Sequence, residues 1–187
     1  IALDSTLITF ALSIFNRAKY RSKKWWVRVH VWLDISKSLP RFCVITDWKG
    51  ADNKIAKQIV AEWWLWSWEM IVFDRYYVDF KLWKMIDVNG SFFVSRTKTN
   101  TDFVEIKKHQ INQANITYDA TVELLWTEWQ KYWKCLRVVR FYHKKDDRVY
   151  EYITNNFELT AIQIADIYKS RREIEVLFRW IKQNLKI

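Results

Sequence analysis

The chain has 187 residues, half of them hydrophobic, and its 31 Lys and Arg against 21 Asp and Glu give a formal net charge of +10. This length suffices for one domain with a sizeable core, and the hydrophobic content argues against a disordered chain. The positive charge favours a polyanionic partner, and because no run of 18 apolar residues occurs we expect no membrane span.

The two cysteines, Cys43 and Cys135, lack the spacing of metal ligands and lie in strand-like segments. We therefore expect free thiols in a reducing cytoplasm. The chain begins with Ile and the predicted last helix runs to its final residue, which favours a fragment of a longer reading frame.

The glycine and tryptophan contents are unusual, with 2 Gly and 13 Trp. An average domain contains about 7% Gly. Trp48 and Trp68 stand where turn chemistry favours Gly. One hypothesis is that the source organism reads the UGA codon as Gly at such positions. A genuinely Trp-rich, drifting sequence is the alternative.

Residues 1–10 (IALDSTLITF) are predicted to contain the end of a strand, followed by a turn into irregular chain. Asp4 lies at this predicted strand end. Taken alone, an Asp in this position is interpreted as a capping or turn residue.

Residues 17–31 are strongly basic, and Lys23 and Lys24 precede a predicted strand along which Arg28 and His30 alternate with valines. This pattern fits a solvated strand face and a phosphate-contacting edge equally well. His30 is expected to be structural or to face DNA, because no second His or Cys accompanies it.

Residues 39–48 predict the next strand, with Pro40 at its start, where no ladder hydrogen bond is lost. Asp47 and Asp52 flank the turn that follows. We expect them to cap a helix that begins at Asn53.

Residues 70–73 (MIVF) are wholly apolar and predict a central strand that is buried on both faces. Asp74 follows directly, and the carboxyl end of such a strand is where open α/β sheets bind ligands. Asp79 is expected to cap the next helix. Residues 90–155 then predict five strands separated by polar turns, with a hairpin at residues 144–147 (KKDD).

Residues 160–187 predict a single helix, because Ile167, Ile174 and Ile181 recur at helical spacing. Thr160 and Gln163 form a capping-box pattern at its start. A polar stripe borders the apolar one and contains Tyr168, Arg171, Glu175 and Lys182. Taken alone, the pair of Arg171 and Glu175 fits a surface ion pair worth about 0.2–0.5 kcal/mol.

This polar stripe resembles the YREK signature of bacterial insertion-sequence transposases of the DDE type, the insertion-sequence-four group. The match holds residue for residue at the family's spacing, with Tyr168, Arg171, Glu175 and Lys182. Two earlier segments resemble the same family: DST at 4–6 and DRYYVD at 74–79, where Tyr76 replaces the family's Gly. The resemblance covers essentially the whole chain. It implies that Trp83 and Trp180 are true tryptophans, because the family tolerates or prefers aromatic residues at these positions.

The resemblance implies an active site of three catalytic, metal-binding carboxylates, namely Asp4, Asp74 and Glu175. It also implies DNA contacts from the rest of the signature, Tyr168, Arg171 and Lys182. The basic segment adds three candidate DNA-binding residues, Lys23, Lys24 and Arg28. Packing three acids together is expected to raise their pKa values through mutual repulsion.

The implied fold is α/β, with a ribonuclease H-like mixed-sheet core and a β-rich insertion before the last catalytic helix. Residues 1–187 would form the catalytic domain, and residues 90–155 would form the insertion within it. Three carboxylates without His or Cys select hard cations, Mg²⁺ or Mn²⁺, and two such ions per site suit phosphodiester displacement.

The predicted function is metal-dependent DNA cleavage and strand transfer that move an insertion sequence. The expected partners are double-stranded DNA, as transposon ends and target, and a second copy in a homodimer of the full-length protein. The expected location is the bacterial cytoplasm, in association with the nucleoid. Two alternatives stay open: an inactive DNA-binding relic of a transposase, and a nuclease of the same fold.

Overall fold

The computed structural model describes residues 1–10, 25–47, 52–62, 67–98, 101–125 and 134–184. Nine strands and four helices lie within these ranges. The strands are β1 (Ala2–Phe10), β2 (Trp25–Asp34), β3 (Leu39–Asp47), β4 (Met70–Phe73), β5 (Phe92–Arg96), β6 (Phe103–Lys108), β7 (Ile116–Leu124), β8 (Leu136–His143) and β9 (Arg148–Thr154). The helices are α1 (Asp52–Glu62), α2 (Phe80–Val88), α3 (Ala161–Lys169) and α4 (Arg172–Asn184).

All nine strands form one sheet in the order β3-β2-β1-β4-β5-β9-β8-β7-β6. The pairs β1/β4 and β4/β5 are parallel, and the other neighbouring pairs are antiparallel. A mixed sheet with helices packed on it confirms the predicted α/β class.

Successive side chains along the strands point to opposite faces of the sheet, and each face packs against its own helices. On one face, Leu3 and Phe73 pack in a cluster with Trp83 of α2. On the other face, Ala2 packs with Ile174 of α4. Ile71, Val72 and Phe73 are all buried, as the sequence predicted for a central strand. Trp83, interpreted as a true tryptophan, is fully buried in this core.

The first strand is longer than predicted, and the expected strand end near Asp4 is wrong. β1 runs on to Phe10 because it pairs with β2 along its whole length, from Ala2 opposite Leu33 to Phe10 opposite Trp25. Asp4 therefore lies inside a strand, where its backbone is paired with Val31 of β2, one residue beyond the point where the pairing of β1 with β4 ends.

The expected single last helix is also wrong, because two helices meet at Ser170 and Arg171. Ser170 Oγ donates to the carbonyl of Ile167 over 2.6 Å, and Arg171 N–H donates to the carbonyl of Tyr168, three residues back. The tightened turn redirects the chain. α3 packs with β5, β8 and β9, whereas Ile174 packs α4 against β1 and β2. The predicted capping box at Thr160 is confirmed.

The turns on either side of β4 contain two positions, Trp68 and Tyr76, at which the sequence suggested that Gly would be expected. Trp68 has a φ of 76° and is 73% exposed, so its backbone adopts the left-handed conformation that favours Gly. This geometry supports the recoding hypothesis, which a UGG codon at position 68 would contradict. Trp48 lies outside the described residues. Tyr76 is exposed within a 3₁₀ turn (Arg75–Tyr77), which accommodates its side chain.

Other local predictions are confirmed. The Asp79 carboxylate accepts hydrogen bonds from the backbone N–H groups of Lys81 and Leu82 and so caps α2. Cys43 and Cys135 are free thiols. The five strands predicted in residues 90–155 are β5 to β9, and the predicted hairpin joins β8 to β9. Assignment of this range as an insertion stays a prediction.

Candidate active site

The three predicted carboxylates come from three different elements. β1 and β4 run parallel with Leu3 opposite Phe73, so Asp4, the next residue of β1, lies beside Asp74, which directly follows the end of β4. Glu175 lies in the first turn of α4. Since α4 packs on β1, its first turn reaches the same edge of the sheet as the two aspartates.

The guanidinium of Arg171 lies between these carboxylates. Its Nη1 donates to Asp4 Oδ2 over 2.9 Å, and its Nη2 donates to Glu175 Oε1. Nη2 also lies 4.0 Å from Asp74 Oδ2. The side chain is only 13% exposed. The structure thus brings together Asp4, Asp74, Glu175 and one cation, and the role of the three acids as catalytic metal ligands stays a prediction.

The electrostatics of the site reflect the crowding of negative charge. Burial raises the pKa of Asp4, and repulsion from Asp74 and Glu175 adds to this, against the Ser5 backbone N–H and Arg171, which lower it. For Arg171, burial alone would lower the pKa, but Tyr168 and the three carboxylates outweigh it and the pKa is raised. The rise expected from packing the acids together is thus found for Asp4, although burial is its larger cause.

The donor set is suited to a hard cation, because carboxylate oxygens are the ligands that Mg²⁺ and Mn²⁺ prefer. Asp4, Asp74 and Glu175 already surround one positive charge, that of Arg171. Within the described ranges, no three His, Cys, Asp or Glu side chains are grouped as they would be around a metal ion. The same acids therefore fit a divalent cation only if the guanidinium gives up its position between them.

A cleft of about 370 Å³ opens beside the two aspartates, lined in part by Arg28, Asp52 and Tyr77. Asp52 Oδ2 accepts from Arg28 Nη1 over 2.6 Å, and Asp52 Oδ1 accepts from Ser5 Oγ over 2.7 Å. Arg28, predicted to bind DNA, is thus held in an ion pair on the wall of the cleft. Asp52 was expected only as a helix cap, since a carboxylate at a helix start gives no signal of its distant partners.

His30 is buried behind Asp52 and contacts it. It is 1% exposed, and its Nε2 lies 3.0 Å from Thr46 Oγ1, while Nδ1 lies 3.4 Å from Asp52 Oδ1. Burial lowers the pKa of His30, with Asp52 opposing the shift. Of the two roles considered for His30, this geometry matches the structural one.

A second, larger groove of about 790 Å³ runs from Glu175 and Arg171 to the β8–β9 hairpin. Its basic lining includes Arg96, Lys144 and Lys145. Sequence reasoning did not single out these residues, because they are distant from the signature along the chain. Arg171 lines this groove and also binds Asp4 in the cleft, so its side chain bridges the two openings.

The remaining predicted DNA-binding residues differ in their surroundings. Tyr168 is half-buried against Tyr152, with ring centroids 4.8 Å apart, and burial raises the pKa of Tyr168 to about 12. Lys182 is exposed on α4. Lys23 and Lys24 lie outside the described residues.

The fold and the site now define the class of protein. The whole chain, residues 1–187, matches the family model described as Transposase DDE domain. The chain belongs to this family of transposase domains. Its finer assignment to the insertion-sequence-four group, with the YREK signature, stays a prediction.

Relatives of known name agree with the family. The chain is 32% identical over 190 residues to the putative transposase y4zB of Sinorhizobium fredii, covering 99% of this chain and 52% of that protein. It is 28% identical over 188 residues to a probable transposase for insertion sequence element IS5377 of Geobacillus stearothermophilus, covering 99% of this chain and 48% of that protein. The chain spans about half the length of these relatives.

Among solved structures, the chain resembles a piggyBac transposase whose cryo-EM structure is a synaptic complex with hairpin DNA. The TM-score is 0.56 at 11% sequence identity, over 97% of this chain and 40% of that one. This likeness shows the fold and confirms the ribonuclease H-like α/β architecture predicted from the sequence. In the described part of the chain, no helix combines the length and the apolar composition needed to cross a bilayer.

Proposed function

We propose that this chain is the catalytic domain of an insertion-sequence transposase that cuts DNA and joins the released end to target DNA. One observation carries the proposal: Asp4, Asp74 and Glu175 converge on a single guanidinium from β1, the end of β4 and α4. A structural ion pair needs one acid for one base, so an excess of carboxylates at a sheet edge favours a site for cationic cofactors.

Asp4 and Asp74 present their carboxylates from the sheet, and Glu175 presents its carboxylate from the helix that covers the sheet. We infer that these three residues hold two Mg²⁺ or Mn²⁺ ions. Such ions, when bound, activate an attacking oxygen and stabilise the leaving oxygen of a phosphodiester. Members of this transposase family use divalent metal ions in general.

Two in-line transfers at phosphorus make up the proposed reaction. In the first, a water oxygen attacks the scissile phosphodiester, the bond from phosphorus to the 3′ oxygen breaks, and a 3′-hydroxyl is released. In the second, that hydroxyl attacks a target phosphodiester, loses its proton and forms the new bond while the target's own 3′ oxygen leaves. The protein contributes positioning and charge, through its carboxylates and the basic groove.

The basic groove supplies the proposed DNA contacts. Arg96, Lys144 and Lys145 line it together with Tyr168 and Arg171, and their charges can meet successive backbone phosphates. Arg28, Lys182, Lys23 and Lys24 remain candidate contacts from the sequence. The DNA would be a transposon end or target duplex in the bacterial cytoplasm, with the full-length protein acting as a homodimer.

The test is a magnesium titration of the protein with end-labelled duplex DNA. We expect nicking that requires Mg²⁺ and falls at least about 100-fold in Glu175→Gln, as for other residues that stabilise charge in a transition state. Glu173→Gln is the matched control, because it removes the same charge from an exposed neighbour on α4. Nicking that persists in Glu175→Gln would remove this residue from the site.

The same assay separates the alternatives. Binding without any nicking would favour the inactive relic. Nicking without joining of the 3′-hydroxyl end to a second duplex would favour a nuclease of this fold.

A further inference from the structure

We propose that Arg171 holds the position of a metal ion between the catalytic carboxylates and must leave it when a divalent cation binds. This inference rests on the proposed function and adds a coupling between the metal and the DNA. It makes Arg171 a positioning residue. Its guanidinium pairs with the acids in the metal-free protein and with a DNA phosphate in the metal-bound protein.

The contacts of Arg171 are those expected of a substitute cation. Its two terminal nitrogens reach all three acids: Asp4 at 2.9 Å, Asp74 at 4.0 Å and Glu175. Asp4 Oδ2 and Glu175 Oε1 are the oxygens it uses. A carboxylate oxygen that receives a guanidinium N–H in this way is not free to coordinate a metal ion from the same side.

The net charge of the site also supports displacement of Arg171 by a divalent cation. Three carboxylates and one guanidinium leave a net charge of −2. A divalent cation balances that charge, but it would then lie within a few ångströms of the guanidinium it repels. Mg²⁺ binds its oxygen ligands at about 2.0–2.1 Å, which requires the guanidinium to withdraw from them.

The chain provides a place for the displaced side chain. The backbone of Arg171 is hydrogen-bonded to Tyr168 and Ile174 at the junction of α3 and α4, so the withdrawal is a movement of its side chain alone. Its side chain already lines the basic groove. The guanidinium carbon also lies 6.0 Å from the Tyr168 ring, whose face can hold it in the groove.

An arginine moved into this groove would meet the DNA backbone, because a guanidinium matches a phosphate with two parallel hydrogen bonds. Metal binding would thus release the Arg171 side chain to bind a phosphate. Phosphate binding by Arg171 would in turn vacate the metal site. By linkage the two effects are equal in size, so DNA should tighten metal binding by the factor by which the metal tightens DNA binding.

The test is Mn²⁺ binding, measured from the electron paramagnetic resonance signal of the free ion in the absence of DNA. In Arg171→Gln we expect Mn²⁺ to bind at least about tenfold more tightly than in wild type, within the usual range of such couplings. Arg172→Gln is the matched control, since it removes the same charge from the next, exposed residue. Because solvent screens that charge, we expect a change below about twofold there.

A second measurement repeats the titration with a short duplex. DNA should tighten Mn²⁺ binding by a larger factor in wild type than in Arg171→Gln, where only the direct contact between the ion and the DNA remains. Circular dichroism of each variant establishes that it is folded. Equal or weaker Mn²⁺ binding by folded Arg171→Gln would overturn the inference.

The inference and the proposed function fail in different ways. If wild type binds Mn²⁺ through Glu175 and Arg171→Gln binds it no better, only the role of Arg171 is wrong. If neither protein binds Mn²⁺, and Glu175→Gln changes nothing, the metal site itself is wrong and both proposals fall.

Discussion

Two arginines of this chain meet carboxylates in opposite ways. Arg137 on β8 donates from Nε and Nη2 to both oxygens of Asp119 over 2.8 and 2.7 Å, and from Nη1 to the carbonyl of Leu159. Both charged side chains are almost fully buried. Arg171 faces three acids, and one of them, Glu175, is 47% exposed.

The difference separates a structural ion pair from the cluster for which we propose metal binding. At Arg137 one cation faces one anion, and the guanidinium donors point at oxygens of the protein. At Arg171 the negative charge exceeds the positive charge, and one carboxylate reaches solvent. Burial and ion pairing alone do not distinguish an active site from a structural ion pair, whereas an excess of negative charge that is open to solvent favours an active site.

The largest expected effect is on the structural pair. Asp119→Ala leaves the buried guanidinium of Arg137 without its anion, which should lower the free energy of unfolding by about 3–5 kcal/mol. Urea denaturation measures this loss. As a control, the double variant Asp119→Leu with Arg137→Met should recover most of it, because no uncompensated charge remains. A loss below about 1 kcal/mol would show that the pair is not structural.

A medium effect is expected from metal on the three-acid site. Each Mg²⁺ ion bound at ten times its dissociation constant should raise the free energy of unfolding by about 1.4 kcal/mol, because it binds only the folded chain. The increment should vanish in Asp4→Asn. It should persist in any folded variant of the Arg137 pair, and loss of the increment there would mean that the two clusters are not independent.

The smallest effect is expected from Asp74→Asn in the absence of metal. The change removes one repulsion, with Asp4, and one attraction over 4.0 Å to Arg171. We expect the free energy of unfolding to rise by on the order of 0.5 kcal/mol. Urea denaturation in a chelating buffer measures it, and a decrease of more than about 1 kcal/mol would make this cluster structural like that of Arg137.

Local patterns predicted much of the fold. The apolar run at 70–73, the cap at Asp79, the capping box at Thr160 and the five strands of 90–155 all depend on neighbouring residues, and all are confirmed. The break between α3 and α4 was not predictable in this way. The spacing of Ile167, Ile174 and Ile181 along the sequence is the same whether they lie in one helix or in two. The two helices differ in what they pack against, because Ile167 lies in one hydrophobic cluster and the other two residues lie in another.

In the candidate site, too, contacts between residues close in sequence were predictable and contacts between distant residues were not. The sequence indicated the ion pair of Arg171 with Glu175, four residues apart, and the structure contains it. The contact of Arg171 with Asp4 spans 167 residues, so no local pattern could reveal it. The pair of Arg28 and Asp52 was missed for the same reason.

The path of the chain through the sheet has an evolutionary consequence. Residues 97–147 leave from the end of β5 and return on β9, and these two strands are hydrogen-bonded neighbours, with Val94 opposite Thr154. A chain that departs and comes back at adjacent points can gain or lose strands at the far edge without changing the spacing of β1 and β4. The strand at that edge, β6, can therefore diversify from one family member to another as long as β7 and β8 keep their place in the core.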